Sequence, residues 1–294
     1  MSSHLLIFGL GYAGRTIAAE ALRAGFRVSG TSRDPASARA PAGATVVGFA
    51  EAGAALADAT HVLATAAPGE AGDPVLAAHG AALAAAPGLC WAGYMSTTGV
   101  YGDRGGAWVE EHTPPAPAQE RSRRRIAAEQ AWAALLAGRG VALDLFRTAG
   151  IYGPGRSALD EVRAGRARRV VKPGHTFSRI HVEDIARAVV AAALHPAGPA
   201  PRVLHLADDE PAEGAAVTAE AARLLGLPAP PAVPFAEAVE GMSAMGRSFW
   251  AEDRKVRSAA TQAALGLEWC YPTYREGLAA IQRAEQAGEA FGQE

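Results

Sequence analysis

Three glycines supply the first chemistry that this chain offers. Gly9, Gly11 and Gly14 follow the apolar run His4-Leu5-Leu6-Ile7-Phe8 and precede a helix-like stretch, Arg15 to Ala24. A strand, a glycine turn and a helix in this order can hold a pyrophosphate. Gly9 permits the tight turn, Gly11 lets the backbone approach the phosphates, and Gly14 lets helix and strand pack closely. With Tyr12 and Ala13 they start a helix whose free N–H groups and positive dipole end favour an anion.

The end of the second strand, read as Phe26 to Thr31, separates the two nicotinamide cofactors. An acidic residue there would bond a ribose 2′-hydroxyl, but this chain has Thr31-Ser32-Arg33. Two hydroxyls and a guanidinium suit a 2′-phosphate, so the expected cofactor is NADP rather than NAD. Asp34, directly after, dilutes that argument. Thr65 and Ala66, at the end of the fourth strand, join the expected cofactor set. Ser96, Thr97 and Thr98 end the fifth strand and present hydroxyls toward the nicotinamide side of a crevice.

The elements that must position these groups alternate. Strands are expected at Ala44 to Val47, His61 to Ala66, Leu89 to Ser96, Val141 to Arg147 and Pro201 to Ala207. Helices are expected at Leu76 to Ala86, Glu120 to Ala137 and His181 to Leu194. Such βα alternation predicts an α/β fold, a Rossmann-type doubly wound parallel sheet, with its ligand crevice at the carboxyl ends of the strands. The pattern changes after Ala149. Residues 1–148 and 178–207 are read as the cofactor-binding domain. Residues 149–177 and 208–294 are read as a smaller substrate lobe, mostly C-terminal, that closes over the crevice.

The totals fit a globular protein of 294 residues, 49% hydrophobic and 20% charged, with a net charge of -2. That balance argues against nucleic acid or an anionic membrane as a partner. No leader is read before the first strand, and no uninterrupted apolar run is long enough to span a bilayer, so the cytoplasm is the expectation. Cys90 and Cys270 make no disulfide framework, and Cys90 reads as a small buried apolar residue. No metal site is expected.

Three further segments carry a resemblance. Tyr94-Met95-Ser96-Thr97-Thr98-Gly99-Val100-Tyr101-Gly102-Asp103, Arg147-Thr148-Ala149-Gly150-Ile151-Tyr152-Gly153-Pro154-Gly155 and Ser178-Arg179-Ile180-His181-Val182-Glu183-Asp184-Ile185-Ala186 occur in that order. Together they resemble the extended and atypical short-chain dehydrogenases/reductases, the group of nucleoside-diphosphate-sugar epimerases and dehydratases. The resemblance implies that Thr97, with Ser96 and Thr98 beside it, bonds the reacting oxygen. It implies an acid/base tyrosine on the next helix and a lysine four residues later. Aligned on Glu129, this chain has Arg121 and Arg125 at those positions. Arg125 can still hold the ribose, but a guanidinium stays protonated and Arg121 is no ordinary acid/base. Phe49 replaces an acidic contact to the adenine and would stack on the ring.

Candidates to replace the tyrosine or to bind substrate are Tyr101, Tyr152, Arg156, His175 and His181. Arg121 and Arg125 share a helix face and are read as facing the crevice, with Arg123 and Arg124 solvated. Arg163, Arg166, Arg168, Arg169 and Lys172 form a second basic group read into the substrate region. Two such groups around one crevice suggest a small anionic substrate, such as a nucleotide-linked sugar or a carboxylate. The expected function is therefore an NADP-dependent oxidoreductase or epimerase. The alternative is a non-catalytic NADP(H) sensor acting through a protein partner. A homodimer through the helix at 120–137 stays open; Trp132 and Leu135 fit such a contact, and they also fit an ordinary core face.

Overall fold

Five consecutive buried residues, His4–Phe8, form strand β1, apolar on both faces as a strand covered from both sides must be. The computed structural model describes residues 3–288. After β1 come helix α1 (Tyr12–Arg23), β2 (Arg27–Ser32), β3 (Thr45–Gly48), α2 (Gly53–Ala57), β4 (His61–Ala64), α3 (Pro74–Ala85) and β5 (Trp91–Thr97). The chain continues through β6 (Trp108–Val109), α4 (Glu120–Leu136), β7 (Ala142–Thr148), β8 (Gly150–Tyr152), α5 (Ala158–Arg163), β9 (Arg169–Val171), β10 (Arg179–His181), α6 (Val182–Leu194) and β11 (Arg202–Leu206). It ends with α7 (Gly214–Leu224), β12 (Ala232–Pro234), α8 (Phe235–Ala238), α9 (Ala244–Trp250), β13 (Lys255–Val256), α10 (Ala259–Leu265) and α11 (Tyr274–Gln286).

Seven strands form one parallel sheet in the order β11-β7-β5-β4-β1-β2-β3. From β1 the chain steps outward through β2 and β3, then crosses to β4 on the other side. The order therefore reverses between β1 and β4, which opens a crevice at their carboxyl ends, where the glycine turn lies. One face packs Leu5 and Ile7 against Ile17 of α1 and Ile185 and Val189 of α6. The other packs Leu6 and Phe8 against Leu56, Leu83 and Trp132 of α2, α3 and α4. Trp132 is fully buried and Leu135 is half-buried against the same cluster, so both serve the core.

The lobe has its own core of Tyr152, Leu159, Val217, Ala221, Tyr274, Leu278 and Ile281. Two two-stranded ladders, β8–β10 and β6–β13, tie it to the sheet domain, and a third, β9–β12, lies within it. The expected strands and helices occur with their ends shifted by a few residues. Two features differ from the sequence reading. Residues 258–269, after β13, pack on the sheet domain before α11 rejoins the lobe: Thr261 Oγ1 accepts the His205 N–H at 2.7 Å, and Trp269 is buried in the core beside Leu5 and Ile7. A large indole closing the α6 face is a tertiary fact that helical periodicity does not carry. Cys90, expected to be buried, lies outside β5 and is exposed, as is Cys270, and neither is paired. No helix among the described residues is long and apolar enough to cross a membrane.

Candidate functional site

The glycine turn is locked from within. Gly9 has φ +113°, and an added Cβ would lie 2.5 Å from Thr65 Oγ1. The Gly9 N–H donates to Thr31 Oγ1 at 3.1 Å, and the Thr65 hydroxyl donates to Phe8 O and Gly9 O at 3.1 and 2.8 Å. Thr65 therefore staples the turn, and half-buried Ala66 packs against the neighbouring core. At Gly14 a Cβ would sit 2.1 Å from Gly9 O, so helix and turn are in direct contact. Gly11 is different. It caps α1 with no side-chain bond, no acidic residue follows in the first turn, and an added Cβ would meet nothing within 4 Å. Open space at an uncapped helix N-terminus fits a pyrophosphate. Ala13 lies in the same first turn, half-buried, and Tyr12 reaches across to the lobe, its hydroxyl donating to Pro154 O at 3.1 Å.

At the end of β2, two of the three residues read as a 2′-phosphate site are buried or locally bonded. Thr31 is buried and its hydroxyl already accepts from Gly9. Ser32 Oγ donates to Asp34 O at 2.9 Å and accepts the Asp34 N–H at 3.2 Å. Arg33 is exposed. Phe49 packs edge-on against His79 and Phe8, with centroids 5.1 and 6.1 Å apart, rather than standing free for an adenine.

A cleft of about 680 Å³ opens at the carboxyl ends of β5 and β7, between the sheet domain and the lobe. Ser96, Thr97 and Thr98 line its floor, with Arg121 and Arg125 of α4 on one wall. Arg125 donates to Met95 O, which holds it against the end of β5, and the Arg121 guanidinium lies 4.4 Å from the centre of the Phe249 ring. Thr97 Oγ1 accepts the Gly99 N–H at 3.1 Å and keeps its own proton to give. The lobe adds Arg156, Arg254 and Glu252, and β10 adds Arg179. Arg179 is fixed by bonds to Phe177 O and Ala212 O at 2.7 and 3.0 Å. Among the described residues, five arginines thus face one carboxylate across this cleft. Arg179 lies within a segment that the sequence singled out, yet its role was missed in favour of His181. Glu252 and Arg254 had no local signal.

Several expected residues lie elsewhere. Tyr101 is fully buried, with its hydroxyl between Arg147 and His205 beneath the floor. Tyr152 packs in the lobe core and lines a second, smaller cleft. His181 is the N-cap of α6. Its ring lies between Tyr152 and Tyr271, and burial pushes its pKa down to about 4, so it stays neutral near pH 7. His175 is buried and stacks on Trp250, with ring centres 5.2 Å apart. The second basic group does not line the main cleft: Arg163 pairs with Glu285, Arg166 with Glu161, and Lys172 donates to Trp250 O. Arg123 and Arg124 pair with Glu120 at the surface. No cluster of His, Cys, Asp or Glu among the described residues is arranged to hold a metal ion.

Behind Arg179 lies Asp208, buried with neither carboxyl oxygen partnered, and burial raises its pKa to about 8. The unfolded chain releases this proton near 3.8, whereas the folded chain keeps it to about 8. The stability it contributes is present below the lower value and is lost as pH rises to the higher one. Asp208→Asn is expected to gain on the wild type steadily over that window. Thermal denaturation of both proteins at its two ends checks this, and a constant difference in Tm refutes it.

The chain matches no protein-family model and no curated protein sequence. Its fold is that of the NAD-dependent epimerases and dehydratases. MoeE5 in complex with UDP-glucuronic acid and NAD is 20% identical over 97% of this chain and 100% of its own, with a TM-score of 0.77. The Thermus thermophilus UDP-glucose 4-epimerase complex with NAD is 21% identical over 95% of this chain and 99% of its own, with a TM-score of 0.72. At 44% identity, over 97% of this chain and 100% of the other, and with a TM-score of 0.88, the chain belongs to the same family as a functionally unknown conserved protein from Silicibacter pomeroyi DSS. The expectation of NADP is corrected: MoeE5, a dTDP-glucose 4,6-dehydratase and a UDP-glucose 4-epimerase, all similar in fold, are solved with NAD. Thr31 is buried and Ser32 Oγ is bonded to Asp34, which leaves exposed Arg33 alone of the three expected contacts.

Proposed function

We propose that this protein binds NAD on the glycine turn and acts as an oxidoreductase or epimerase on an anionic, nucleotide-linked sugar in the adjoining cleft. The observation that carries this reading is the cleft itself, with five arginines and the hydroxyls of Ser96, Thr97 and Thr98 at the strand ends beside an uncapped helix N-terminus. NAD, when bound, supplies a hydride acceptor. Gly11, Tyr12, Ala13 and Gly14 would hold its pyrophosphate, and Arg125 its ribose. Thr97 orients the reacting oxygen through its hydroxyl, and Arg121, Arg156, Arg179 and Arg254 balance substrate phosphate charge. On this reading Arg121 and Arg125 take the positions of the tyrosine and lysine that the resemblance implies.

A second reading, a non-catalytic NAD(H) sensor, is favoured by one observation: no tyrosine, histidine, lysine or cysteine lines the cleft among the described residues. Turnover separates the two readings, and cofactor binding tests both.

NAD is expected to raise the Tm by several degrees, because a ligand at about 100 times its Kd contributes about 2.7 kcal/mol. Gly11→Val is expected to keep the unliganded Tm, because its side chain points into open space, and to abolish the shift. Differential scanning fluorimetry reads both effects. A wild type that NAD does not stabilise sinks the proposal.

A further inference from the structure

We propose that Glu252 is the proton-transfer group of this cleft. The inference rests on the reading that the cleft oxidises or reduces a substrate alcohol. Such a reaction needs a group that takes or gives the hydroxyl proton, and arginine does not serve at neutral pH. Among the described residues lining the cleft, Glu252 is the sole carboxylate, and no histidine, tyrosine, lysine or cysteine accompanies it.

Its two oxygens are not equivalent. Oε2 accepts from the Arg254 guanidinium at 2.7 Å, which sets the orientation of the carboxylate. Oε1 is buried and has no partner. The residue is 8% exposed, so a free oxygen in this setting lacks both protein and bulk-water bonds. Leaving a buried acceptor unpaired is costly, and such a cost is expected where a ligand completes the bonding.

The segment is also held rigidly, as proton transfer requires. The Asp253 N–H donates to Asp103 Oδ1 at 2.8 Å, and Asp253 O accepts from Arg104 and Gly106 at 2.9 and 3.1 Å. Arg254 donates to Gly102 O at 2.9 Å, and β13 follows directly, paired to β6. Glu252 is therefore pinned to the loop that leaves β5, the strand that carries Thr97.

In the oxidative direction the substrate O–H would break and its proton would pass to the Glu252 carboxylate. A carbon–oxygen double bond would form, and NAD, when bound, would supply the acceptor for the hydride that leaves that carbon. The reverse reaction returns both.

The test compares the wild type with Glu252→Gln and Glu252→Asp. NAD carries one more positive charge on its reacting ring than NADH. A carboxylate facing that ring favours NAD, so Glu252→Gln is expected to lower the NAD:NADH affinity ratio about tenfold, measured by calorimetry. NADH affinity within about threefold of wild type shows that the variant is folded. With UDP-glucose as the probe substrate, kcat is expected to fall at least about 100-fold, with KM little changed and one limb of the pH profile lost. Glu252→Asp should recover part of the rate. An unchanged affinity ratio overturns the inference while leaving the proposed function standing, and so does wild-type kcat in Glu252→Gln. A wild type that binds neither nucleotide overturns both. Where UDP-glucose is not turned over, the affinity ratio decides alone.

Discussion

Gly14→Ala is expected to destabilise the protein by about 3 kcal/mol or more and to abolish NAD binding. The new methyl carbon would lie 2.1 Å from Gly9 O and 3.2 Å from Gly9 C. Neither atom can retreat cheaply. Gly9 O accepts the Thr65 hydroxyl, and the Gly9 N–H is bound to Thr31 Oγ1. A shift of Gly9 would therefore break contacts to β2 and β4 together, and Gly9 already occupies a backbone region that only glycine adopts freely. The control is Gly11→Ala, where a Cβ meets nothing and the backbone is extended, so its effect should stay within about 0.5 kcal/mol. Urea denaturation of the two variants measures the contrast. Equal midpoints would mean that the turn adjusts freely, and the account of the cofactor cradle would fail with it.

This contrast also shows which features the chain reveals locally. The glycine turn, the seven parallel strands and their intervening helices are each written within a short window, as buried runs and breaks in periodicity. The site is legible only where it belongs to those windows. Thr97 and Thr98 are the termination of β5, and Arg121 and Arg125 share one face of α4. The lobe's contributions are not local. Glu252 and Arg254 reach the cleft because Asp253 is bonded to a loop 150 residues earlier. Arg163 and Arg166 looked like substrate ligands by their density, yet Arg163 meets Glu285 from the far end of the chain and Arg166 meets its near neighbour Glu161. Tyr101 and Arg147 sit in resembling segments for reasons of interior bonding. The NADP expectation failed for a similar cause: residue type at a strand end says nothing of whether the side chain is buried or already engaged, and Thr31 is buried while Ser32 Oγ donates to Asp34 O.

Removing one half of the buried pair beneath the cleft should cost more than any surface change. Glu129 and Arg147 are 4% and 5% exposed and meet at 2.8 and 3.2 Å. Ser96 donates to Glu129 at 2.5 Å, and Arg147 donates to the Tyr101 hydroxyl at 2.8 Å. His205 continues the chain. Its Nδ1 lies 2.7 Å from Arg257 O, which leaves Nε2 as the acceptor for Tyr101. Glu129→Ala is expected to cost about 3–5 kcal/mol, because it strands a desolvated guanidinium. Arg147→Ala should cost a similar amount by stranding the carboxylate. The double variant strands neither charge, so its loss should fall at least about 1 kcal/mol short of the sum of the singles. Glu129→Gln keeps an acceptor for Ser96 and loses the charge, and should fall between the wild type and Glu129→Ala. Because Ser96 lines the cleft floor beside Thr97, Glu129→Ala should also weaken ligand binding in the fraction that stays folded. Denaturant titration of the four proteins gives the cycle. Single-variant losses below about 1 kcal/mol that simply add would show that the pair is solvated and that the floor of the cleft is held by something else.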